Sequence, residues 1–316
     1  MKIATVDYSD FISGDAEKRN RFIQELGDSF SNIGFAIVKN HGVTKELRDN
    51  LYDASVSFFE MDENTKKKYE IEGIAGQRGY ISAGRETAKG ADIPDLKEFY
   101  HIGQEVPENN EFGYPANIWP EETPQLKKHG LEVFDTFNNT GRDLLRAIAL
   151  YLNLDENYFD QKIEKGNSIL RLLHYFPQTD LKDIPDGAVR AAAHEDINLI
   201  TLLMGGTAEG LQAKTKAGEW INVSPQPDEI VINVGDMLQR LTNGKLVSTT
   251  HRVINPRKEL LHTSRYSTPF FLHPISEMDL TCLDSCIDES HPKIFSDMTA
   301  GGYLHERLVE LGLVKM

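Results

Sequence analysis

The sequence predicts a mainly β chain with helices flanking its strands. Helical patterns run over about residues 15–32, 44–59 and 124–153, with a closing helix near the carboxy-terminal end. From about Ser168 the pattern changes to that of strands, with Pro, Gly and Asn-Gly punctuation recurring up to Pro274. Within the strand-rich part lies a His-x-Asp pair, His194 and Asp196, followed at a distance by His251.

Taken in order, residues 3–7 read as a first strand. Residues 15–32 form an amphipathic helix with Phe22, Ile23, Leu26 and Phe30 on one face, ended by Gly34 at the C′ position. A short strand at 35–39 and a helix from Thr44 to Phe59 follow, and Lys66-Lys67-Lys68 reads as a solvated face. The Gly-rich, polar stretch from Gly73 to Gly103 contains Arg78-Gly79-Tyr80 and runs into Glu98-Phe99-Tyr100. Residues 124–153 carry the longest helical pattern, with Leu131, Phe134, Leu144, Leu145, Ile148 and Leu152 on its apolar side. The carboxy-terminal segment, including Gly301-Gly302-Tyr303-Leu304-His305, reads as a closing helix and a candidate lid. No repeat, low-complexity tract or linker between independent cores is visible. The expected division is therefore 1–120, 121–275 and 276–316 within one structural unit.

At 316 residues the chain can bury one large core, and 40% hydrophobic with 26% charged residues is ordinary globular composition. A formal charge of −15 argues against a phosphate-backbone reader, which needs a basic surface. Two cysteines, Cys282 and Cys286, are too few for a disulfide framework. Their i,i+4 spacing would suit a metal pair on a helix, but without a nearby third ligand the apolar, structural reading is preferred. The sequence has no apolar run long enough to span a membrane, and its first residues do not begin a secretory signal. A cytoplasmic protein acting on a small molecule, without nucleic-acid or membrane partners, is the expectation.

Residues i and i+2 of a strand point to the same side. A strand through His194-Glu195-Asp196 would aim an imidazole and a carboxylate at one point and turn Glu195 away. His251, ending a neighbouring strand, would complete a two-histidine, one-carboxylate face that leaves three positions of octahedral iron(II) open. Zinc accepts the same donors. After a hairpin at Asn255–Glu259, Arg265 would begin the next strand, with Ser267 two residues on. A buried guanidinium wants an anion, either a core acid or the carboxylate of a ligand, and a hydroxyl beside it adds a donor. The same alternation puts Phe271 on the face of Arg265 and Ser267, where it serves either the cavity or ordinary core packing.

The run from His194 to Leu203 resembles the metal-binding strand of the isopenicillin N synthase-like iron(II) and 2-oxoglutarate-dependent oxygenases. Gly210-Leu211-Gln212, Gly218-Glu219-Trp220, Ile232-Asn233-Val234-Gly235-Asp236, Leu241–Lys245, His251-Arg252-Val253 and Arg265-x-Ser267-x-Pro269-Phe270-Phe271 match that family's core in order, and Gly34–Val43 is similar to its opening domain. The resemblance implies a double-stranded β-helix, a cupin-like jelly roll, with the site in its open mouth. It implies His194, Asp196 and His251 as iron ligands, and Arg265 with Ser267 as the clamp for the far carboxylate of 2-oxoglutarate. The implied reaction consumes O2, gives succinate and carbon dioxide, and hydroxylates, desaturates or cyclises an organic substrate.

One departure stands out. Many plant members carry Asn-Tyr-Tyr-Pro ahead of the metal strand, whereas this chain has His174-Tyr175-Phe176-Pro177. Tyr175 remains to contact cosubstrate or substrate. The loss keeps open an oxidase like isopenicillin N synthase itself, which binds its substrate's carboxylate through the same Arg-x-Ser and needs no keto acid. A ligand-binding jelly roll without catalysis is the remote alternative. For the organic substrate, Arg78, Tyr80, Tyr100 and Arg171 join Phe271 as candidate walls suited to an anionic or aromatic molecule. His41, His101, His174, His262 and His273 have no ligand spacing and read as satisfied or exposed side chains.

Overall fold

The computed structural model describes residues 3–74, 76–85, 97–107, 110, 113–177, 189–205, 210–255, 260 and 262–310. Its strands are β1 (Ala4–Asp7), β2 (Phe35–Lys39), β3 (Gly79–Ile81), β4 (Lys97–Gly103), β5 (Ile169–Tyr175), β6 (Ala191–His194), β7 (Ile200–Met204), β8 (Leu211–Lys214), β9 (Trp220–Asn222), β10 (Ile230–Val234), β11 (His251–Val253) and β12 (Arg265–Leu272). The helices are α1 (Tyr8–Ile12), α2 (Ala16–Asn32), α3 (Lys45–Phe59), α4 (Glu63–Lys67), α5 (Pro124–Tyr151), α6 (Asp160–Ile163), α7 (Asp236–Leu241) and α8 (Ala300–Glu310). The strands form a major sheet ordered β1-β2-β10-β7-β12-β5-β4-β3 and a minor sheet ordered β6-β11-β8-β9.

The helices start and stop where local chemistry dictates. Asp15 caps α2 by accepting from the backbone N–H groups of Glu17 and Lys18, and Thr44 caps α3 through Leu47. Gly34 ends α2 at φ +69°, its N–H donating to Ser29 O at 3.1 Å. A Cβ there would lie 1.9 Å from the carbonyl oxygen of Val247, so only glycine fits. Pro124 opens α5 in its first turn, where the missing N–H costs nothing.

Strand alternation divides the core in two. Even-numbered side chains of β12, β5 and β4, such as Phe270, Leu272, Leu170, Leu172 and Ile102, pack beneath α2, α3 and α5. Phe134 of α5 meets Phe270 edge-on at 5.1 Å. The odd-numbered residues face the minor sheet, where Phe99, Leu173 and Tyr175 join Phe35, Ile37, Leu211, Ala213 and Val253 in a second apolar cluster. The polar groups of the site share that inner face. β2 pairs with β10, so the amino-terminal segment completes the major sheet.

Four local expectations are corrected. β6 stops at His194, and Asp196 follows in the loop before β7. His251 begins β11 instead of ending it. β11 and β12 belong to different sheets and do not pair as the two arms of a hairpin; residues 256–259 of the expected turn lie outside the described residues. Finally, Lys66 is buried. Its ammonium donates to Glu98 at 2.7 and 3.0 Å and to Phe59 O at 3.1 Å, a partner 32 residues away that a charge run does not reveal. Lys66→Met leaves the Glu98 carboxylate with Tyr80 and His174 as its remaining side-chain donors. Denaturant unfolding is expected to show a loss of about 3 kcal/mol.

Candidate metal centre and adjoining cavity

His194 and His251 are directly opposed across the β6–β11 pair, with ring centroids 4.4 Å apart. The Nε2 atoms of both lie 3.9 Å from Asp196 Oδ1. All three donor atoms fall within 4.8 Å of one another, the separation a single cation bridges. Among the described residues this is the His, Cys, Asp and Glu grouping that could hold a metal. Glu195 turns away from the donor set, although it lies in the loop and not in a strand, and accepts from the hydroxyl of Thr250 at 2.6 Å.

The surroundings orient each donor. His194 Nδ1 donates to Ala192 O at 2.7 Å and His251 Nδ1 to Thr249 O at 3.1 Å. A carbonyl can only accept, so both Nδ1 atoms carry the proton and both Nε2 lone pairs face the cleft. Asp196 is buried, and its Oδ2 accepts from Thr201 Oγ1 at 2.6 Å and Asn233 Nδ2 at 2.8 Å. That leaves Oδ1 for a cation. Thr201 on β7 and Asn233 on β10, which fix the Asp196 carboxylate, are residues that spacing did not single out, although both lie within the motifs that carry the resemblance. Their signal was positional: each faces inward between helix-facing apolar neighbours.

Electrostatics favours deprotonated donors. Loss of water inside the cleft pushes the partly exposed His194 imidazole down to about 4, helped by the charge of His251 and opposed by Asp196. Burial raises the Asp196 carboxyl, but His251, His194 and the bonds from Asn233 and Thr201 outweigh it, so its pKa is lowered. A metal therefore displaces no proton from His194 or Asp196 near neutral pH.

The inner face of the major sheet continues from this centre. Arg265, the first residue of β12, is buried; its Nη1 donates to Ser267 Oγ at 2.9 Å and its guanidinium lies 5.0 Å over the Tyr175 ring. Further along, the Arg171 guanidinium stacks on Phe99 at 4.2 Å and faces Phe271 at 5.2 Å. Its Nε donates to His101 Nε2 at 2.6 Å, and His101 Nδ1 donates to Gly76 O. Arg171, His101, Phe99 and His273 line a cavity of about 630 Å³ that Leu304 and Leu308 of α8 also border.

Three candidate walls are placed differently. Tyr100 is fully buried on the helix side of β4, its hydroxyl donating to Ile118 O. Arg78 is fully buried against Gly103 and does not itself line the cavity; it donates to Gln77 O and Asn167 Oδ1 of two residues that do. Tyr80 borders the cavity, but its hydroxyl donates to Glu98 on the helix side. Conversely, His101 and His273 are cavity residues that sequence spacing passed over. Cys282 and Cys286 are buried free thiols, in keeping with a packing role.

A sheet sandwich that brings two imidazoles and one carboxylate to a single point offers a donor set suited to non-haem iron(II). Comparison with known proteins agrees. Residues 3–122 match the non-haem dioxygenase in morphine synthesis N-terminal family, and residues 166–274 match the 2OG-Fe(II) oxygenase superfamily. A proline hydroxylase, buaE, of Petromyces alliaceus is 31% identical, over 98% of this chain and 99% of the relative. A 2OG-Fe(II) oxygenase family protein from Caulobacter crescentus superposes with TM-score 0.86 at 42% identity, covering 98% of both chains. A full-length Neurospora crassa protein, crystallised in complex with alpha-KG, does so with TM-score 0.86 at 32% identity, covering 96% of this chain and 95% of that one. The chain belongs to the 2OG-Fe(II) oxygenase superfamily. It is an iron(II)- and 2-oxoglutarate-dependent dioxygenase, and these relatives favour that reading over the oxidase alternative. No helix among the described residues is long and apolar enough to cross a membrane.

The His273 pKa, about 4 in the fold, sits below the ordinary value of 6.5 because of burial. Below pH 6.5 the unfolded chain therefore takes up a proton that the folded chain refuses. The stability this group contributes is present above about pH 6.5 and is lost as pH falls towards 4. Unfolding of metal-free protein across that window is expected to show the decline, and His273→Phe to make it shallower.

Proposed function

We propose that His194, Asp196 and His251 hold iron(II), that Arg265, Ser267 and Tyr175 receive the distal carboxylate of 2-oxoglutarate, and that the organic substrate occupies the cavity lined by Arg171, whose guanidinium Phe271 faces from outside the lining. The observation that carries this reading is the convergence of three prepared lone pairs. Both imidazoles are fixed in the Nδ1–H form, and Asp196 is held by one oxygen so that the other is free. When bound, the metal supplies oxygen activation coupled to oxidative decarboxylation of the keto acid to succinate and carbon dioxide.

This chain's residues do the holding. Thr201 and Asn233 keep the carboxylate from swinging, and such outer contacts are worth about 10–100-fold in metal affinity. Arg265 presents a planar fork to a carboxylate, with the Ser267 hydroxyl beside it. Arg171, backed by two phenylalanine rings, offers a cation and a flat surface to a small anionic or aromatic substrate. Leu304 and Leu308 place α8 over the cavity, where it serves as a lid that keeps water from the substrate. The three segments 1–120, 121–275 and 276–316 work as one unit, because the first completes the major sheet and the last covers the cavity. The acidic surface and two unpaired thiols fit a cytoplasmic enzyme without nucleic-acid partners.

Anaerobic addition of iron(II) and 2-oxoglutarate is expected to give a weak visible charge-transfer band, and admission of oxygen to give succinate. His194→Ala should lose iron binding; unchanged iron content in that variant contradicts the ligand assignment. Arg265→Met should raise the KM for 2-oxoglutarate about 10–100-fold, the cost of a charged hydrogen-bonded contact. Arg171→Ala should leave that KM unchanged while uncoupling succinate formation from substrate oxidation.

A further inference from the structure

Arg190 lies just ahead of β6 and is completely buried, 0% exposed. Its Nη2 donates to the carbonyl oxygen of Thr263 at 3.0 Å, which ties it to the chain two residues before Arg265. Its Nε and Nη1 are buried with no hydrogen-bond partner among the described residues. Burial, then the neighbouring charge of Arg265, holds the guanidinium down to about 10, with Tyr175 opposing; it still carries its charge near neutral pH. The bonded carbonyl is two residues from Arg265, so the buried Arg190 guanidinium sits beside the strand end assigned to the keto-acid clamp.

A buried guanidinium with unmet donors is costly, and a second cation nearby adds to the cost. A carboxylate removes both penalties at once. Its two oxygens offer about four lone-pair sites, enough for Arg265, Ser267 and a further fork. A monocarboxylic oxo acid would leave an alkyl end against this end of the barrel and satisfy none of them. His174, on the opposite face of β5, is committed to Glu98 at 2.7 Å and Ser264 at 3.0 Å and cannot help.

We infer that Arg190 is a second cation of the cosubstrate site, pairing with Arg265 to recognise the distal carboxylate of a dicarboxylic 2-oxo acid and to discriminate against monocarboxylic ones. This rests on the assignment of Arg265 to the clamp.

The test is isothermal titration calorimetry of anaerobic, iron(II)-loaded protein with 2-oxoglutarate and with 2-oxobutyrate, which keeps the chelating end and lacks the distal carboxylate. Arg190→Met is expected to raise the Kd for 2-oxoglutarate about 10-fold or more, with the Kd for 2-oxobutyrate and the iron content unchanged. An unchanged Kd for 2-oxoglutarate overturns the inference, and so does an equal weakening of both acids. If Arg190→Met does not fold, Arg190→Lys keeps the cation and loses the fork. A rise of about threefold or more for 2-oxoglutarate alone then supports the inference, and no rise overturns it. Arg265→Met in the same titration separates the two assignments. Its weakening 2-oxoglutarate while Arg190→Met does not sinks only the role of Arg190; an unchanged Kd in Arg265→Met sinks the clamp itself.

Discussion

The site depends on how the Asp196 carboxylate is buried. A lone carboxylate in an apolar interior is costly and tends to protonate. Here Thr201 and Asn233 occupy one oxygen while two imidazoles face the other. The donors to Oδ2 come from β7 and β10 of the major sheet, and the histidines from β6 and β11 of the minor one. The donor set therefore exists only when the two sheets pack. Backbone contacts lock the loop that carries Asp196: the N–H of Asp236 donates to Asp196 O at 2.7 Å and that of Gly235 to Leu199 O at 2.9 Å. A Cβ at Gly235 would sit 2.1 Å from Asn198 O, so the approach needs glycine.

The two-faced major sheet explains where the charges lie. Its largely apolar helix side carries a compact cluster in which Glu98 accepts from Lys66, Tyr80 and His174. His174 continues to Ser264, immediately before Arg265, and stacks on Tyr266 at 4.8 Å. The cluster thus braces from behind the strand end that presents the clamp. Cations and donors on the inner face have a different task, since they point to where ligands bind. Period-2 alternation keeps the two sets apart with no loop required.

The same alternation decides what the sequence could reveal. The metal donors, the Arg265–Ser267 pair and the jelly-roll class were legible because they sit in ordered motifs whose spacing has a chemical reason. Helix ends at Asp15, Gly34 and Thr44 were legible from capping chemistry. Tyr100 was misjudged because β4 is buried on every residue, so hydrophobicity gives no sign of which face is inward. Lys66 was misjudged because its partner is distant in the chain. The strand through Asp196 was misjudged because a loop can bring i and i+2 donors together as well as a strand can, once backbone bonds hold it.

The origins of the two halves of the site differ in a way that bears on specificity. Both histidines lie on strands, and the carboxylate sits on a loop clamped by α7; Arg265 and Ser267 are likewise on a strand, so their positions are fixed by sheet packing. The cavity draws its outer wall from the Glu70–Gln77 segment and from α8, elements that pair with neither sheet. Changes there cost little in core packing and leave the metal donors in place. A scaffold divided in this way can keep one oxidative chemistry while the molecule it acts on varies. Under the proposed assignment of the cavity to the organic substrate, the discriminating contacts lie with Arg171, His101 and the α8 leucines, at the boundary where rigid sheet meets replaceable cover.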